Sequence, residues 1–296
     1  MKRRELIRDL AIGTTVLSTA SLSLANCSDP ATKSQTSEST GLKGNINHSV
    51  CRWCYDDMPI ELLCEKSADM GIKSIDLVGE EDWPILVKYG LTSAMGNGTW
   101  MSLTDGFCNP KFHAPLVEKY MDLIPKAADN GIKNIICFSG NRTSEISDKE
   151  GLEHCAKGLE SIVKTAENAG VYVVMELLNS KVDHKGYMCD HTVWGAALVD
   201  KIGSPHFKLL YDIYHMQIME GDIIATIGKY PDYIAHYHTA GVPGRNEIDE
   251  TQELFYPAIM NAIKNTGFKG YVAQEFIPKS EDAMASLKEG ILICDV

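Results

Sequence analysis

Four acidic or imidazole side chains end four consecutive apolar segments in the second half of the chain. They are Glu176 in "VVMELLN", Asp212 in "LLYDIYH", His238 in "AHYHTAG" and Glu275 in "VAQEF". Each segment is typical of a buried strand of a parallel sheet, where a carboxylate is costly to desolvate. Carboxylates gathered at one edge of a sheet would also repel one another. Because a bound divalent cation would remove both costs, the four residues predict a metal site.

The predicted ligand set indicates which metals and which chemistry fit this site. Three carboxylates and one imidazole favour Mg²⁺, Mn²⁺ or Co²⁺ and also allow Zn²⁺. A structural zinc site would use thiolates, so a catalytic metal with coordination positions open to a substrate is indicated. A metal that binds neighbouring carbonyl and hydroxyl oxygens stabilises the enediolate formed when a carbon loses its proton. We therefore predict proton transfer beside a carbonyl group, with a glutamate as the base.

The elements that would position these residues alternate strand and helix from about residue 50 onward. The eight apolar runs read "SVCRWCY", "IKSIDLVG", "LTSAMGN", "IKNIICFSG", "VYVVMELLNS", "FKLLYDIYH", "YIAHYHTAG" and "GYVAQEF". Several intervening helices end in a glycine, as in "DMGIKSIDL" and "DNGIKNIIC", which is typical of a helix C-cap. Eight such units predict an α/β fold, a single-domain (β/α)8 TIM barrel over residues 48–296, with its active site at the carboxyl ends of the strands. A doubly wound open sheet is the alternative fold, but no GxGxxG fingerprint follows the first strand.

The first 27 residues differ in composition from the rest. "MKRRELIRDL" is basic and pairs Arg3 with Arg4, and a modest apolar run then leads to "LANCS". That run is too short to cross a bilayer, and its basic start is typical of an export signal. The arginine pair favours a twin-arginine signal over an ordinary secretory signal, and "LANC" resembles a lipoprotein cleavage site. We therefore expect residues 1–27 to be an export signal and the protein to be periplasmic, or anchored to the membrane if Cys27 carries a lipid.

The remaining composition restricts domains and partners. Residues 28–47 are polar and rich in Ser, Thr and Gly, which predicts a disordered linker. The formal net charge is −12, and no basic stripe follows the first few residues. Nucleic acid and anionic membrane surfaces are therefore disfavoured as partners of the folded part. "CRWC" is a single CxxC in a predicted strand, where residues three apart face opposite ways, so a redox role is not favoured.

With these residues in place, the chain resembles the xylose-isomerase-like barrel superfamily and, within it, the hydroxypyruvate isomerase family. The resemblance covers residues from about 50 to the C-terminus. It is carried by "GNR", "MELLNS", "YDIYHMQIMEGD", "AHYHTAGVPGRNE" and "GYVAQEF". The block beginning "YDIYH" and the turn "PGRNE" are the most specific of these motifs. After "YDIYH", residues 217–221 are expected to form a loop, and Asp222 to cap the following helix.

The resemblance implies a metal-dependent isomerase with a defined set of site residues. Its metal would be held by Glu176, Asp212, His238 and Glu275. The two glutamates would also transfer the proton during the reaction. His215 and Arg245 would contact oxygens of a small carbonyl or sugar substrate. Their chemistry agrees with this, because an imidazole can donate to a hydroxyl or carbonyl and a guanidinium offers a planar fork to several oxygens.

The sequence departs from the family's pattern at three places that bear on the substrate. One is "TQELFY", which replaces a Gly-Glu-x-Asn-Tyr pattern and keeps only Glu253, Leu254 and Tyr256. Hydroxypyruvate isomerases typically have Gln at the position of His238, whereas related ketose 3-epimerases have His. The "PGR" motif is usually followed by His-Glu-Pro, and here Asn246, Glu247 and Ile248 follow it. The first hypothesis is therefore an aldose-ketose isomerase acting on hydroxypyruvate or a small sugar derivative, and the second is a ketose 3-epimerase. An exported sugar-binding lipoprotein without turnover is the third, and a homo-oligomer is compatible with all three.

Overall fold

The computed structural model describes residues 41–296, which contain one sheet of seven parallel strands. The strands are β1 (Asn47–Cys51), β2 (Ser74–Asp76), β3 (Asn134–Cys137), β4 (Tyr172–Leu177), β5 (Phe207–Asp212), β6 (Ile234–Thr239) and β7 (Tyr271–Gln274). Their order in the sheet is β2-β1-β7-β6-β5-β4-β3, and every neighbouring pair is parallel. Strands β2 and β3 form the two edges, and the sheet curls so that these edges face the same connecting segment. This is the TIM barrel that the sequence predicts.

The segment that joins the two edges is the third predicted strand, "LTSAMGN". It forms isolated parallel bridges to both sides, from Thr92 and Gly96 to residues at the β2 edge and from Gly96 to β3. A regular strand is not formed because side chains take the backbone groups of Ala94. Ser74 Oγ accepts from the Ala94 N–H at 2.6 Å, and Asn134 Nδ2 donates to the Ala94 carbonyl at 2.8 Å. The prediction of eight regular strands is therefore corrected to seven strands closed by an irregular eighth segment.

Helices follow the strands and cover the outside of the sheet. They are α1 (Ile60–Met70), α2 (Trp83–Lys88), α3 (His113–Asp129), α4 (Asp148–Ala169), α5 (Thr192–Ile202), α6 (Ile213–Met219), α7 (Ile223–Lys229), α8 (Tyr256–Asn265) and α9 (Ala283–Cys294). The glycines after α1 and α4, Gly71 and Gly170, adopt left-handed φ values of 85° and 68°. This confirms the predicted glycine C-caps, which a residue with a Cβ would strain.

Two local predictions near the site are wrong. Strand β1 ends at Cys51, and residues 52–55 form a 3-10 turn, so only the first residue of "CRWC" lies in a strand. Helix α6 begins directly after β5, so residues 217–219, expected in a loop, are helical. The Asp212 carboxylate caps α6 by accepting from the His215 backbone N–H at 3.1 Å. Asp222 stands at the start of α7 with φ 45°, and its side chain makes no cap hydrogen bond there.

The inside of the barrel changes from apolar to polar along the strands. A small apolar cluster fills its interior, formed by Met95, Ile136, Val174 and Leu210. Residues two apart on a strand face the same side, so Glu176 and Asp212 point inward beyond Val174 and Leu210. The acidic side chains therefore lie at the carboxyl end of the barrel, above an apolar floor.

The start of the described chain packs against its end. Lys43 bonds Asp295 through both its backbone N–H, at 2.7 Å, and its side chain. Asn45 donates to the carbonyl of Val296 at 2.7 Å. These residues belong to the predicted linker, so the ordered domain begins a few residues before residue 48. The predicted export signal over 1–27 and the linker up to residue 40 lie outside the described residues. Within 41–296, no helix combines the length and apolar character needed to span a membrane.

Candidate active site

The four predicted ligands meet at the carboxyl end of the barrel. They are Glu176 in β4, Asp212 at the end of β5, His238 in β6 and Glu275 directly after β7. One donor atom from each lies within 4.8 Å of the others. The parallel register places the ends of β5 and β6 side by side, with Asp212 opposite His238. None of the four is more than 4% exposed to solvent.

His238 lies at the centre of this cluster and faces acids on both sides of its ring. Its Nδ1 is 2.9 Å from Glu275 Oε2 and 3.5 Å from Glu176 Oε1. Its Nε2 is 3.4 Å from Asp76 Oδ2 and 3.7 Å from Cys51 Sγ. Burial would lower the pKa of His238, but Cys51, Glu275 and Asp76 outweigh it and raise this pKa well above its usual range. Both ring nitrogens therefore face carboxylate oxygens that favour a proton or a cation between them.

Asp76 is a buried acid of this site that the sequence analysis missed. It ends β2, its Oδ1 accepts from Ser49 Oγ at 2.5 Å, and its Oδ2 lies 2.5 Å from His236 Nε2. Burial would raise its pKa, but His236 and His238 outweigh this and hold the pKa of Asp76 well below its usual range. The signal was present, because Asp76 follows an apolar run in "IKSIDLVG" much as Glu176, Asp212 and Glu275 do in their segments.

Arg245 reaches the same acids from the turn after β6. Its Nη2 lies 2.6 Å from Glu275 Oε2 and 3.5 Å from Asp212 Oδ2. The guanidinium stacks over the rings of Trp53 and Tyr214, with distances of 5.0 and 5.5 Å to their centroids. The backbone of Arg245 is held in the left-handed region at φ 59°. This strained backbone conformation places the Arg245 guanidinium, a predicted substrate contact, against the carboxylates of Glu275 and Asp212.

The two glutamates lie in different electrostatic surroundings. Glu275 accepts from Trp53 Nε1 at 2.8 Å as well as from His238 and Arg245. Burial would raise its pKa, but His238 and Arg245 hold the pKa of Glu275 well below its usual range. Burial raises the pKa of Glu176, and its Oε1 has no hydrogen-bond partner among residues 41–296. Glu275 is therefore a fixed carboxylate, whereas Glu176 keeps an oxygen free to exchange a proton.

These residues fit a divalent cation. Burial also raises the pKa of Asp212, whose charge is opposed by the neighbouring Glu275 and Glu176. A buried cluster of three carboxylates with an unpartnered oxygen needs a positive charge at its centre. The mixture of carboxylate oxygens and one imidazole is compatible with Mg²⁺, Mn²⁺, Co²⁺ or Zn²⁺. The ligand set predicted from the sequence is thus brought together by the fold.

His215 forms the wall of the site next to Asp212. It lies in α6, is fully buried, and its Nε2 is 3.6 Å from Asp212 Oδ2. Its Nδ1 lies 2.7 Å from Asn179 Nδ2, in the loop after β4. Burial and the nearby charge of Arg245 lower the pKa of His215 well below its usual range. Both residues predicted to contact substrate therefore border the acid cluster, and Asn179 is a further residue that the sequence analysis did not single out.

The chain matches the family model described as "Xylose isomerase-like TIM barrel" over residues 88–292. The hydroxypyruvate isomerase of Escherichia coli strain K12 is 26% identical over 226 residues, which cover 73% of this chain and 87% of that protein. The 2-oxo-tetronate isomerase of Cupriavidus necator is 33% identical over 125 residues, covering 41% and 47%. A D-psicose 3-epimerase structure from Clostridium cellulolyticum H10, with D-tagatose, aligns with a TM-score of 0.69 at 18% identity over 85% of this chain and 100% of that one.

The extent of these matches varies among relatives. The chain spans 39% of the length of a human relative and 58% of one from Xenopus laevis, at 32% and 30% identity. The similarity to the epimerase structure lies in the fold, because the identity is low. The family model, in contrast, covers more than half of the chain and includes all four predicted ligands.

Proposed function

Because the chain belongs to the xylose isomerase-like TIM barrel family, we propose that it isomerises a small hydroxy-carbonyl compound by moving a proton beside the carbonyl. The observation that carries this proposal is the pair Glu176 and Glu275, which approach His238 from two different strands. The substrate class that fits best is hydroxypyruvate or a small sugar derivative. Support comes from the relatives named as isomerases in Escherichia coli and Cupriavidus necator.

The proton transfer can be assigned to the chain's own carboxylates. A base removes a proton from the carbon that carries a hydroxyl, and the electron pair of the C–H bond forms the enediolate. The same proton, or one from solvent, then returns to the carbon that was the carbonyl carbon. The hydroxyl oxygen gives up its proton and becomes the new carbonyl, and the former carbonyl oxygen takes up a proton and becomes a hydroxyl. Glu176 suits the exchanging role, because one of its oxygens is unpartnered among the described residues. Glu275 is fixed by three donors and suits charge stabilisation or the opposite face of the substrate.

A divalent cation held by Glu176, Asp212, His238 and Glu275 would polarise the substrate oxygens and stabilise the negative charge that develops on them. Arg245 can also orient the substrate, because it contacts Glu275 and Asp212 through Nη2 alone and its other guanidinium nitrogens can bind a carboxylate or hydroxyls. Because the four residues are nearly inaccessible to solvent, their charges act in surroundings of low dielectric constant, where electrostatic interactions are stronger.

A ketose 3-epimerase is the second candidate function, and His238 favours it. Epimerisation returns the proton to the opposite face of the same carbon, so it requires two acids on opposite sides of the substrate. Glu176 on β4 and Glu275 after β7 come from strands on either side of β6. The third hypothesis, a binding lipoprotein, gains no support from relatives that are named as isomerases.

A product assay separates the two enzymatic candidates. Purified protein with added Mn²⁺ or Mg²⁺ would be given hydroxypyruvate, 2-oxo-tetronate and a panel of ketoses, and products would be identified by NMR. An aldose or an aldehyde product supports the isomerase, and a C3 epimer supports the epimerase. Activity must disappear on chelation and return when metal is restored. Turnover that survives complete chelation would contradict the metal-dependent proposal.

Export stays a prediction from residues 1–27. It is tested by fractionating the native host and by labelling with a fatty acid. Label that is lost in Cys27→Ala would support a lipid anchor, and label that persists would contradict it.

A further inference from the structure

A chain of hydrogen bonds lies behind His215, and its members have no part in the proton transfer proposed above. Asn179 faces His215, Asp183 faces Asn179, and the Tyr214 hydroxyl donates to Asp183 Oδ2 at 2.8 Å. Asn179 is fully buried, and His215 has no exposed surface. This arrangement fixes the direction of each hydrogen bond.

The orientation of the Asn179 amide follows from its backbone partners. Its Oδ1 accepts from the backbone N–H groups of Val182, at 3.0 Å, and Asp183, at 2.9 Å. If the amide were reversed, Nδ2 would face two N–H donors and both would lose their acceptor. The amide nitrogen therefore faces Asp183 Oδ2 at 2.6 Å and His215 Nδ1 at 2.7 Å. Its two protons go one to each of these atoms.

The tautomer of His215 follows in turn. Because Asn179 donates to Nδ1, this nitrogen must be the acceptor, and the single ring proton lies on Nε2. A protonated imidazole would place a second proton against the amide donor. The Nε2 atom is buried, has no hydrogen-bond partner in residues 41–296, and lies 3.6 Å from Asp212 Oδ2 at the edge of the acid cluster. It is thus a donor that awaits an acceptor inside the site.

We propose that Asn179 is a positioning residue that holds His215 as the neutral Nε2–H tautomer, so that the site offers an uncharged donor to one substrate oxygen. This rests on the proposed function. A neutral donor binds a carbonyl, hydroxyl or enediolate oxygen and rejects an ammonium group at the same position. It stabilises the oxygen by a hydrogen bond and keeps its own proton, so the transferred proton passes through the glutamates. The specificity is therefore for an oxygen acceptor beside the reacting carbon.

The tautomer can be measured in the unmodified protein. With ¹⁵N-labelled histidine, the two nitrogens of His215 are assigned by their loss in His215→Gln, and their shifts and couplings show which one carries the proton. The expected result is a proton on Nε2 and a bare Nδ1 throughout the neutral pH range. A proton on Nδ1, or an imidazolium at neutral pH, overturns the inference whether or not the protein has activity. If the tautomer is as expected and no substrate is turned over, the inference holds and the proposed function fails.

Exchanging the side chains at positions 179 and 183 tests whether Asn179 sets the tautomer of His215 and thereby kcat. The double variant Asn179→Asp/Asp183→Asn keeps the net charge and the shapes, but it turns the group facing His215 from a donor into an acceptor. We expect the proton of His215 to move to Nδ1 and kcat to fall about 100-fold, as for loss of one oxyanion donor, with KM and metal affinity within a few fold of the original.

The matched control is Ser180→Ala, which removes a hydroxyl that donates to Asp190 and leaves the contact between Asn179 and His215 in place. Its His215 tautomer should be unchanged and kcat should fall less than about threefold. An exchange variant with the reversed tautomer and normal kcat would contradict the positioning role. If the double variant does not fold, Asn179→Ser gives a second test, because its hydroxyl is too short to reach His215 and both tautomers should then be seen.

Discussion

Two histidines of this site, His238 and His215, are both fully buried, yet their neighbours place them in opposite states. His238 faces carboxylates with both ring nitrogens, which favours a charged ring or a bound cation. His215 faces an amide donor on one side and is next to Arg245, which favours the neutral ring. The difference teaches that residue type alone does not define the role. The donor or acceptor at the far nitrogen of each ring decides it.

The largest expected effect is a loss of Mn²⁺ affinity when a carboxylate near His238 is removed. Asp212→Asn should weaken Mn²⁺ binding by more than about 100-fold, because one charged ligand is removed from a buried site. The amide still offers an oxygen to the His215 backbone N–H, so the cap of α6 is kept and the melting temperature should change little. Titration calorimetry measures the metal affinity. Metal binding at the original affinity would show that Asp212 is not a ligand.

His215→Phe is the corresponding change on the neutral side. It should leave Mn²⁺ affinity unchanged and lower kcat about 100-fold, because Phe has no hydrogen-bond donor for the substrate and no metal ligand is removed. Steady-state kinetics and calorimetry on the same protein sample give both numbers. Equal losses in metal affinity for His215→Phe and Asp212→Asn would contradict the distinction between the two histidines.

Asp76→Asn tests the contact at the far nitrogen of His238. Asn cannot accept from His238 as strongly as a carboxylate, so the orientation and basicity of the ring should suffer and Mn²⁺ affinity should fall about 10- to 100-fold. Ser49→Ala is the matched control, because it removes only a donor to Asp76 Oδ1 and should cost less than about threefold. A larger loss in Ser49→Ala than in Asp76→Asn would contradict this role.

The smallest effect on the site is expected from a network of ion pairs that includes neither His238 nor His215. Arg142, in the "GNR" motif, bonds Asp190 with two nitrogens at 2.9 and 3.0 Å and also bonds Asp148. Arg142→Met should lower the free energy of unfolding by about 2 kcal/mol and leave Mn²⁺ affinity unchanged. Lys126→Met, which breaks an exposed pair, should have a much smaller effect on the free energy of unfolding.

The contribution of the Arg142–Asp190 pair to stability depends on pH. Burial would raise the pKa of Asp190, but Arg142, Ser180 and His191 hold it below its usual range. A depressed pKa in the folded state contributes stability above the unfolded value of about 3.9, and this is lost as the pH falls through the folded pKa. The difference in unfolding free energy between the wild type and Arg142→Met should therefore be constant from pH 7 to 5 and shrink below about pH 4. A difference that grows on acidification would contradict this sign.

The sequence predicts that Glu176, Asp212, His238 and Glu275 come together, because each lies at or near the end of a recognisable strand. The pattern of apolar residues and the composition identify β4 to β7, and parallel strands bring their carboxyl ends to one edge of the sheet. The third strand could not be predicted as irregular, since this depends on Ser74 and Asn134 taking the backbone groups of Ala94 from outside the segment. Asn179 was missed for a similar reason. Its role depends on a hydrogen-bond direction set by backbone groups and by α6, which the sequence pattern does not show.

The most direct test of the central claim is exchange of solvent deuterium into substrate by Glu176→Gln and Glu275→Gln. The protein, with Mn²⁺ and a substrate identified in the product assay, would be incubated in D₂O and followed by NMR and mass spectrometry. The account predicts deuterium at the carbon beside the carbonyl for the wild type, and a loss of about 100-fold or more in each glutamine variant. Lys126→Met, at an exposed ion pair outside the site, should exchange at the wild-type rate. Deuterium incorporation at the wild-type rate in both glutamine variants would contradict the assignment of proton transfer to these two residues.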